Sequence, residues 1–236
     1  MQPLDLGPVA ELVLLGAHCD DIAIGAGATV AVLATANPGL RVRALVMTGG
    51  GGPREDEERA ALAALLPGAD LELQVLGLPD GRLPEHWSVL KTAVGALARG
   101  PRPDLVLVPG RDDAHQDHRA VAEIAPTAFR DALILGYEIL KWEGDLGRAP
   151  VLHPVPDELA ELKVAAITTH YPSQAHHDWF DREAFLALMR VRGVQCHQRY
   201  AEAFTAEKLV LSVGRPATTP TTPTTPTTPT TPTNKE

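Results

Sequence analysis

The sequence predicts an α/β protein, a Rossmann-like three-layer sandwich in which a mostly parallel β-sheet carries helices on both faces. Two stretches, residues 12–33 and 105–125, support this prediction because they are built alike. Each starts with a short apolar run, breaks at small residues, presents polar residues and continues as an alanine-rich run. Such apolar runs are typical of buried strands in parallel sheets. We expect the functional site at the carboxyl ends of these strands, where open α/β sheets bind their ligands.

The first half of the chain alternates between apolar runs and turn signals. Strands are predicted at residues 11–16, 41–48, 70–76 and 105–108, where apolar residues are continuous or alternate. Helices are predicted at residues 25–36, 56–66 and 86–98, which are rich in alanine and leucine. Glycine and proline separate these elements, as in Asn37-Pro38-Gly39 before the second strand.

The second half continues the alternation with weaker signals. Helices are predicted at residues 118–125, 157–169 and 182–192, and strands at 131–139 and 208–213. Residues 144–157 are rich in glycine and proline and are predicted to form a loop.

Composition divides the chain into one domain, residues 1–215, and a tail, residues 216–236. The domain is long enough for a sizeable core, and 44% of the whole chain is hydrophobic. The tail repeats Thr-Thr-Pro, which favours an extended, disordered segment without a core. The formal net charge of −9 argues against nucleic acid or an anionic membrane as a partner, since both reward basic patches.

The two cysteines, Cys19 and Cys196, predict reduced thiols in a cytoplasmic protein. No Cys-x-x-Cys pair is present, so a structural cysteine-type zinc site is not expected. The N-terminus has no basic region before its apolar run, which argues against a signal peptide. No apolar run approaches the length of a membrane span.

A first polar cluster follows the strand at residues 11–16. His18, Asp20 and Asp21 bring an imidazole and two carboxylates past the strand's carboxyl end. Nitrogen and carboxylate oxygen are ligands that zinc accepts, and a catalytic zinc site leaves one position open for water. One aspartate could therefore bind a metal and the other could act as a base. Alternatively, the aspartates cap the next helix and His18 bonds a backbone group.

A second polar cluster follows the strand at residues 105–108 and contains Asp113, His115, Asp117 and His118. Parallel strands end at the same edge of a sheet, so both clusters can share one crevice. Asp113 and Asp117 could orient the histidines as outer partners of a metal site. Ordinary capping of the next helix is the alternative for these two aspartates.

At these positions the sequence resembles the PIG-L/LmbE-type zinc-dependent de-N-acetylases. Ala-His-Cys-Asp-Asp at 17–21 is similar to their AHPDD signature, and His-Gln-Asp-His-Arg-Ala-Val at 115–121 is similar to HxDHRAV. The resemblance covers most of residues 11–211. Cys19 replaces the usual proline, and Ile22 stands where glutamate is common. The resemblance implies that His18, Asp21 and His118 bind Zn²⁺ or another divalent metal, with Asp20 as general base and His115 as general acid.

The resemblance also implies substrate contacts outside the two clusters. They lie in an Arg/Glu-rich helix start, a Pro-Asp-Gly turn, a Tyr-Pro-Ser-Gln element and the closing region of the chain. The residues are Arg54, Asp80, Tyr171, Gln174 and Arg192. Apart from the resemblance, Glu138 and Trp142 close the strand predicted at 131–139 near the rim, where they could help shape a sugar pocket. A solvated first helical turn would also explain Arg54, and the turn alone would explain Asp80. The remaining histidines that follow residue 150 are expected to be solvated: His153, His170, His176, His177 and His197.

The implied activity is removal of the N-acetyl group from an N-acetylated amino sugar or glycoconjugate of the N-acetylglucosaminyl type. An amidase that cleaves a larger sugar conjugate would use the same site. A nucleotide- or S-adenosylmethionine-binding protein would instead use the glycine run at 49–52, although that run lacks the P-loop and GxGxxG spacings. The oligomeric state is left open, and a homo-oligomer is compatible with the sequence.

Overall fold

The computed structural model describes residues 3–210, which form one seven-stranded sheet flanked by helices. The strands are β1 (Glu11–Gly16), β2 (Arg41–Thr48), β3 (Asp70–Leu78), β4 (Leu105–Pro109), β5 (Leu133–Tyr137), β6 (Val151–Val155) and β7 (Tyr200–Ala206). The helices are α1 (Asp21–Ala36), α2 (Pro53–Leu65), α3 (Trp87–Ala98), α4 (Gln116–Ala128), α5 (Asp157–His170) and α6 (Arg182–Gln195). Short 3-10 turns cover Leu83–His86 and Pro172–Gln174.

The sheet has the order β3-β2-β1-β4-β5-β7-β6. Strands β1 to β5 pair in parallel, and β7 pairs antiparallel with both β5 and β6. The prediction of a mostly parallel α/β sheet is therefore confirmed. The strand order reverses between β1 and β4, which makes the carboxyl ends of these two strands the switch point where such sheets bind ligands.

Alternate residues of β1 belong to two separate cores, because successive side chains of a strand point to opposite faces. Leu12 and Leu14 pack in the core shared with α1, α2 and α5. Val13 and Leu15 pack in the core shared with α3 and α4. Helices therefore cover both faces of the sheet, as the continuous apolar run predicts. No helix in residues 3–210 is long and apolar enough to cross a membrane.

Three predicted elements differ most from the structure. Helix α1 starts at Asp21 rather than at residue 25, and residues 144–157, predicted to be a loop, contain β6. β6 is an edge strand, so Pro154 does not interrupt a central ladder. The final strand was predicted at 208–213, but residues 208–210 are not in a strand and 211–213 lie outside the described residues. The last strand that the structure describes is β7, and the Thr/Pro tail also lies outside the described residues.

Candidate metal and catalytic site

The turn between β1 and α1 has an unusual backbone at Asp20, whose φ angle is 127°. Residues with a side chain rarely adopt this conformation, and such strain persists where the surroundings fix it. Asp21 Oδ2 accepts hydrogen bonds from the backbone amides of Ala17 and His18, at 2.9 and 2.8 Å. The Thr48 hydroxyl and amide both donate to the Ala17 carbonyl. This turn sends the carboxylates of Asp20 and Asp21 toward different partners.

His18, Asp21 and His118 converge at the switch point. His18 Nδ1 lies 3.1 Å from His118 Nε2. Asp21 Oδ1 lies 3.2 Å from the same His118 nitrogen, and Asp21 Oδ2 lies 3.5 Å from His18 Nδ1. The structure therefore brings the three predicted ligands, from the turn after β1 and from α1 and α4, to a common point.

The far side of each imidazole faces carboxylates. His18 Nε2 lies 3.0 Å from Asp80 Oδ1 and 3.3 Å from Asp117 Oδ2. His118 Nδ1 lies 3.0 Å from Asp113 Oδ2. Metal-binding histidines commonly donate their second N–H to a carboxylate, which fixes the tautomer and the ring orientation. Two ring nitrogens and one carboxylate oxygen also form a donor set that catalytic zinc accepts, so these residues fit a divalent metal.

The carboxylates dominate the electrostatics of this cluster. Burial by itself would lower the pKa of His18, but Asp21, Asp117 and Asp80 outweigh burial and raise it to about 12. Burial of His118 is likewise outweighed by Asp21 and Asp113, which raise its pKa to about 9. The carboxylates therefore favour a positive charge at the point where His18, Asp21 and His118 meet. A bound cation would supply such a charge.

His115 caps α4 at the edge of the same cluster. Its ring centroid lies 4.8 Å from those of both His18 and His118. The three imidazoles can also supply a set of ligand atoms within 4.8 Å of one another. His115 Nδ1 accepts a hydrogen bond from the Asp117 backbone amide, so the neutral ring carries its proton on Nε2. Burial, together with the charges of His18 and His118, lowers the pKa of His115.

Asp20 lies on the other side of the turn, against Arg54 of α2. Burial raises the pKa of Asp20 to about 6, although Arg54 opposes this shift, and Asp21 adds to it. Arg54 Nη2 lies 3.0 Å from Asp20 Oδ2 and also donates to the Cys19 carbonyl oxygen. The substrate contact of Arg54 stays a prediction, and in the structure Arg54 holds the base candidate and the strained turn.

Glu58 of α2 was not singled out by the sequence, although it is fully buried behind Asp20. The Tyr171 hydroxyl donates to Glu58 Oε2 at 2.7 Å, and Glu58 Oε1 has no partner among the described residues. Burial raises the pKa of Glu58 to about 8, against the opposing effect of Tyr171. Tyr171 is itself 0% exposed. Its hydroxyl faces the interior and is bonded to Glu58, and its contact with substrate stays a prediction.

Ser173 links the Tyr-Pro-Ser-Gln element to α2 and was also missed. Its hydroxyl accepts from Arg54 at 2.8 Å and contacts Glu57 Oε2 at 2.6 Å. Gln174, a predicted substrate residue, donates to the same hydroxyl at 3.0 Å. Both segments are visible in the sequence, as the Arg/Glu-rich start of α2 and the Tyr-Pro-Ser-Gln element. The sequence does not show that they contact each other, because that contact depends on the fold.

Glu138 and Arg192 form a bidentate ion pair, with contacts of 2.8 and 2.5 Å between the end of β5 and α6. Arg192 also donates to the Gly147 carbonyl and is 6% exposed. The guanidinium of Arg192 is thus held by Glu138 and Gly147, and the substrate contacts of Glu138 and Arg192 stay predictions. The Asp80 side chain, in contrast, is 77% exposed beside His18 and remains available to substrate.

The glycine run at 49–52 is explained by packing. Gly49 has a φ angle of 91°, and a Cβ atom there would lie 2.8 Å from Cys19 Sγ. The Gly50 amide donates to the Leu76 carbonyl. These contacts join the run to the β1 turn and to β3, so it needs no bound phosphate to account for it.

Of the later histidines that were predicted to be solvated, three are half-buried: His153, His170 and His177. His153 lies 3.1 Å from the Thr29 hydroxyl, and burial lowers its pKa. His177 is half-buried, and its ring stacks on Trp179.

An α/β sheet with a histidine–aspartate cluster at its switch point defines a candidate metal hydrolase, and comparison with known proteins supplies the family. Residues 13–129 match the model of the PIG-L family, GlcNAc-PI de-N-acetylase. Over 172 residues, the chain is 31% identical to the uncharacterized deacetylase YaiS of Escherichia coli K12, with 67% of this chain and 89% of YaiS covered. The chain therefore belongs to the PIG-L family of de-N-acetylases.

Solved structures share the fold. The conserved protein TT1542 of Thermus thermophilus superposes with a TM-score of 0.67 at 26% identity, covering 86% of this chain and 96% of TT1542. The N,N'-diacetylchitobiose deacetylase of Pyrococcus horikoshii superposes with a TM-score of 0.64 at 21% identity, covering 84% of both chains. The second similarity supports the fold alone.

Proposed function

We propose that this protein is a metal-dependent deacetylase that hydrolyses the acetamide group of an N-acetylated amino sugar of the N-acetylglucosaminyl type. The convergence of His18, Asp21 and His118 beside Asp20 carries the proposal. Membership of the PIG-L family supports it, and so does the activity named for the Pyrococcus structure. The open, polar position of Asp80 at the rim suits a hydroxyl-rich ligand.

His18, Asp21 and His118 would hold the metal, with Zn²⁺ as the first choice. A divalent metal in such a site supplies a more acidic water and polarises the amide carbonyl. Asp113 and Asp117 hold the outer nitrogens of the two histidines and keep their inner nitrogens aimed at one point.

Asp20 acts as the general base in this proposal. Arg54 occupies Oδ2, which leaves Oδ1 to accept a proton from the attacking water. A pKa raised by burial to about 6 suits a base that works near neutral pH. The proton held at Asp20 can then pass to the leaving nitrogen as the C–N bond breaks.

His115 acts as the acid partner. Its Nδ1 accepts from the Asp117 amide, so the neutral ring carries its proton on Nε2. A hydrogen bond from Nε2 to the carbonyl oxygen would stabilise the charge that develops there, which is a large term in acyl-transfer catalysis.

Acetate release from N-acetylglucosamine tests this function directly. The purified protein should release acetate, lose activity with a chelator and regain it on addition of Zn²⁺ or another divalent metal. His197→Asn is a suitable control, because His197 is exposed and asparagine tolerates its φ angle of 61°. Cleavage of a larger acyl group without acetate release would favour the amidase alternative, and activity that chelators do not affect would contradict the proposal.

A further inference from the structure

Three aromatic side chains form a cluster on two loops of the described structure, and we call it the aromatic shelf: Trp142, His177 and Trp179. The rings of His177 and Trp179 are stacked, with centroids 5.6 Å apart and planes at 14°. Trp142 stands at 88° to His177, with centroids 5.2 Å apart, and at 87° to Trp179, with centroids 6.3 Å apart. Trp142 is nevertheless 63% exposed.

Packing against the core and a hydrogen bond to Asp178 fix the orientation of the shelf. Trp179 packs against the core and lies edge-on to Phe180, which in turn lies edge-on to Phe185 of α6. Trp142 Nε1 donates a hydrogen bond to Asp178. A single exposed apolar residue needs no explanation, but a cluster of oriented aromatic rings at the surface is typical of a binding site.

Both loops of the shelf are tied to the candidate catalytic residues. Lys141, next to Trp142, lies 3.0 Å from Asp113, which faces the His118 ring. Ser173 begins the segment that carries His177, and it contacts Arg54, the partner of Asp20. One loop is therefore anchored on the metal-ligand side and the other on the base side, so both loops that carry the shelf adjoin the site.

We propose that the aromatic shelf binds a second pyranose ring joined to the acetylated amino sugar, so that the preferred substrate is a disaccharide or a larger glycoside. The inference rests on the proposed function, because both loops that carry the shelf adjoin that site. A pyranose presents apolar C–H groups on its faces and hydroxyls at its edge, and a flat aromatic ring complements such a face. Polar groups of Asp178 and His176 stand beside the rings and suit the hydroxyl edge.

Kinetics on two sugars test the shelf. The probes are N-acetylglucosamine and N,N'-diacetylchitobiose, with acetate release measured on the metal-loaded, full-length protein. Trp142→Ala should lower kcat/KM for the disaccharide about 2- to 10-fold, the range typical of aromatic contacts. The loss should appear in KM, because the contact is made equally in the ground and transition states. The value for the monosaccharide should stay unchanged.

Two further variants sharpen this test. Trp142→Phe keeps a ring and should retain most of the preference for the disaccharide. Val194→Ala removes another exposed apolar side chain, from the end of α6, and should change neither value. If Trp142→Ala lowers kcat/KM equally for both sugars, or for neither, the proposal that the shelf binds a second sugar ring is wrong.

Binding measurements test the proposal for the shelf separately from the proposed deacetylase function. Two of the chain's three tryptophans belong to the shelf, so tryptophan fluorescence reports on its occupancy. The disaccharide should bind more tightly than the monosaccharide, and Trp142→Ala should remove the difference. Trp142-dependent binding without acetate release would support the shelf and contradict the deacetylase. Acetate release without any preference in binding or kcat/KM would support the deacetylase and contradict the shelf.

Discussion

Asp20 and Asp21 are neighbours in the chain, yet their carboxylates have different surroundings. Asp21 faces the two histidines, which hold its pKa well below the usual value despite burial. Asp20 faces Arg54, and burial raises its pKa. A single strained backbone angle at Asp20 separates the two side chains. The structure thus supports a metal ligand and a base from two adjacent residues of the same type.

The two substitutions to asparagine should therefore fail in different ways. Asp21→Asn should weaken metal binding, because a neutral amide replaces an anionic oxygen donor. Asp20→Asn should keep the metal and lower kcat about 10²- to 10⁴-fold, the usual contribution of a general base. Metal titration and acetate release on both variants measure this. The opposite pattern, metal loss in Asp20→Asn alone, would show that the roles are reversed.

Glu58 should make the stability of the protein depend on pH, and this effect can be measured without an activity assay. Its pKa is raised from 4.5 to about 8 in the folded state, mainly by burial. The folded state therefore binds more protons than the unfolded state between these values, so the contribution of Glu58 to stability falls as pH rises through that window. Glu58→Gln should stay uncharged and flatten the fall.

Urea unfolding between pH 5 and about 8.5, bracketing that window, tests the effect on wild type and Glu58→Gln. Glu72→Gln, which removes an exposed carboxylate of β3, is the matched control and should follow wild type. A Glu58→Gln protein that loses stability with pH as steeply as wild type would show that Glu58 does not hold a proton in the folded state.

Helices α1 and α5 are joined to β7 by a buried ion pair. Lys163 Nζ lies 2.6 Å from Glu202 Oε1, and both side chains are less than 5% exposed. The Glu202 carboxylate also accepts from the backbone amides of Ala28 and Thr29 of α1. The pair therefore anchors the two helices to the antiparallel end of the sheet.

Lys163→Met should lower the free energy of unfolding by about 3–5 kcal/mol, because it leaves Glu202 buried and unpaired. The exposed pair between Arg182 and Glu161 offers a control, since Arg182→Met should change stability by no more than about 1 kcal/mol. Denaturant unfolding of both variants checks the comparison. If both variants lose a similarly small amount of unfolding free energy, the buried Lys163–Glu202 pair contributes no more to stability than an exposed pair does.

At the scale of the whole molecule, the parallel half of the sheet could be predicted from the sequence. Strands β1 and β4 are almost entirely apolar, and β2 is apolar from Ala44 to Met47, since both faces of these segments are buried. Strands β6 and β7 could not, because β6 is an edge strand that contains Pro154 and β7 contains the charged Glu202. Their pairing depends on contacts that local patterns do not encode.

The candidate site, too, has features that the sequence predicts and features that only the fold shows. The two ligand clusters were visible because each follows a buried strand, and parallel strands end at one edge. Glu58 and Lys141 were not visible, because their partners Tyr171 and Asp113 are distant in the chain. The aromatic shelf likewise joins residues 142 and 177–179 from separate loops. Spacing in the sequence predicts what adjacent strands present, whereas contacts between loops require the fold.

The central claim is that the two clusters form one metal site, and metal stoichiometry in histidine variants tests it most directly. Wild type should bind one equivalent of Zn²⁺ at this site. His18→Ala and His118→Ala should each lose that whole equivalent while remaining folded, because the two ring nitrogens lie 3.1 Å apart and face the same point. Elemental analysis after dialysis, with circular dichroism as the folding check, gives the answer. Full metal retention in either folded variant would contradict a site shared by His18 and His118.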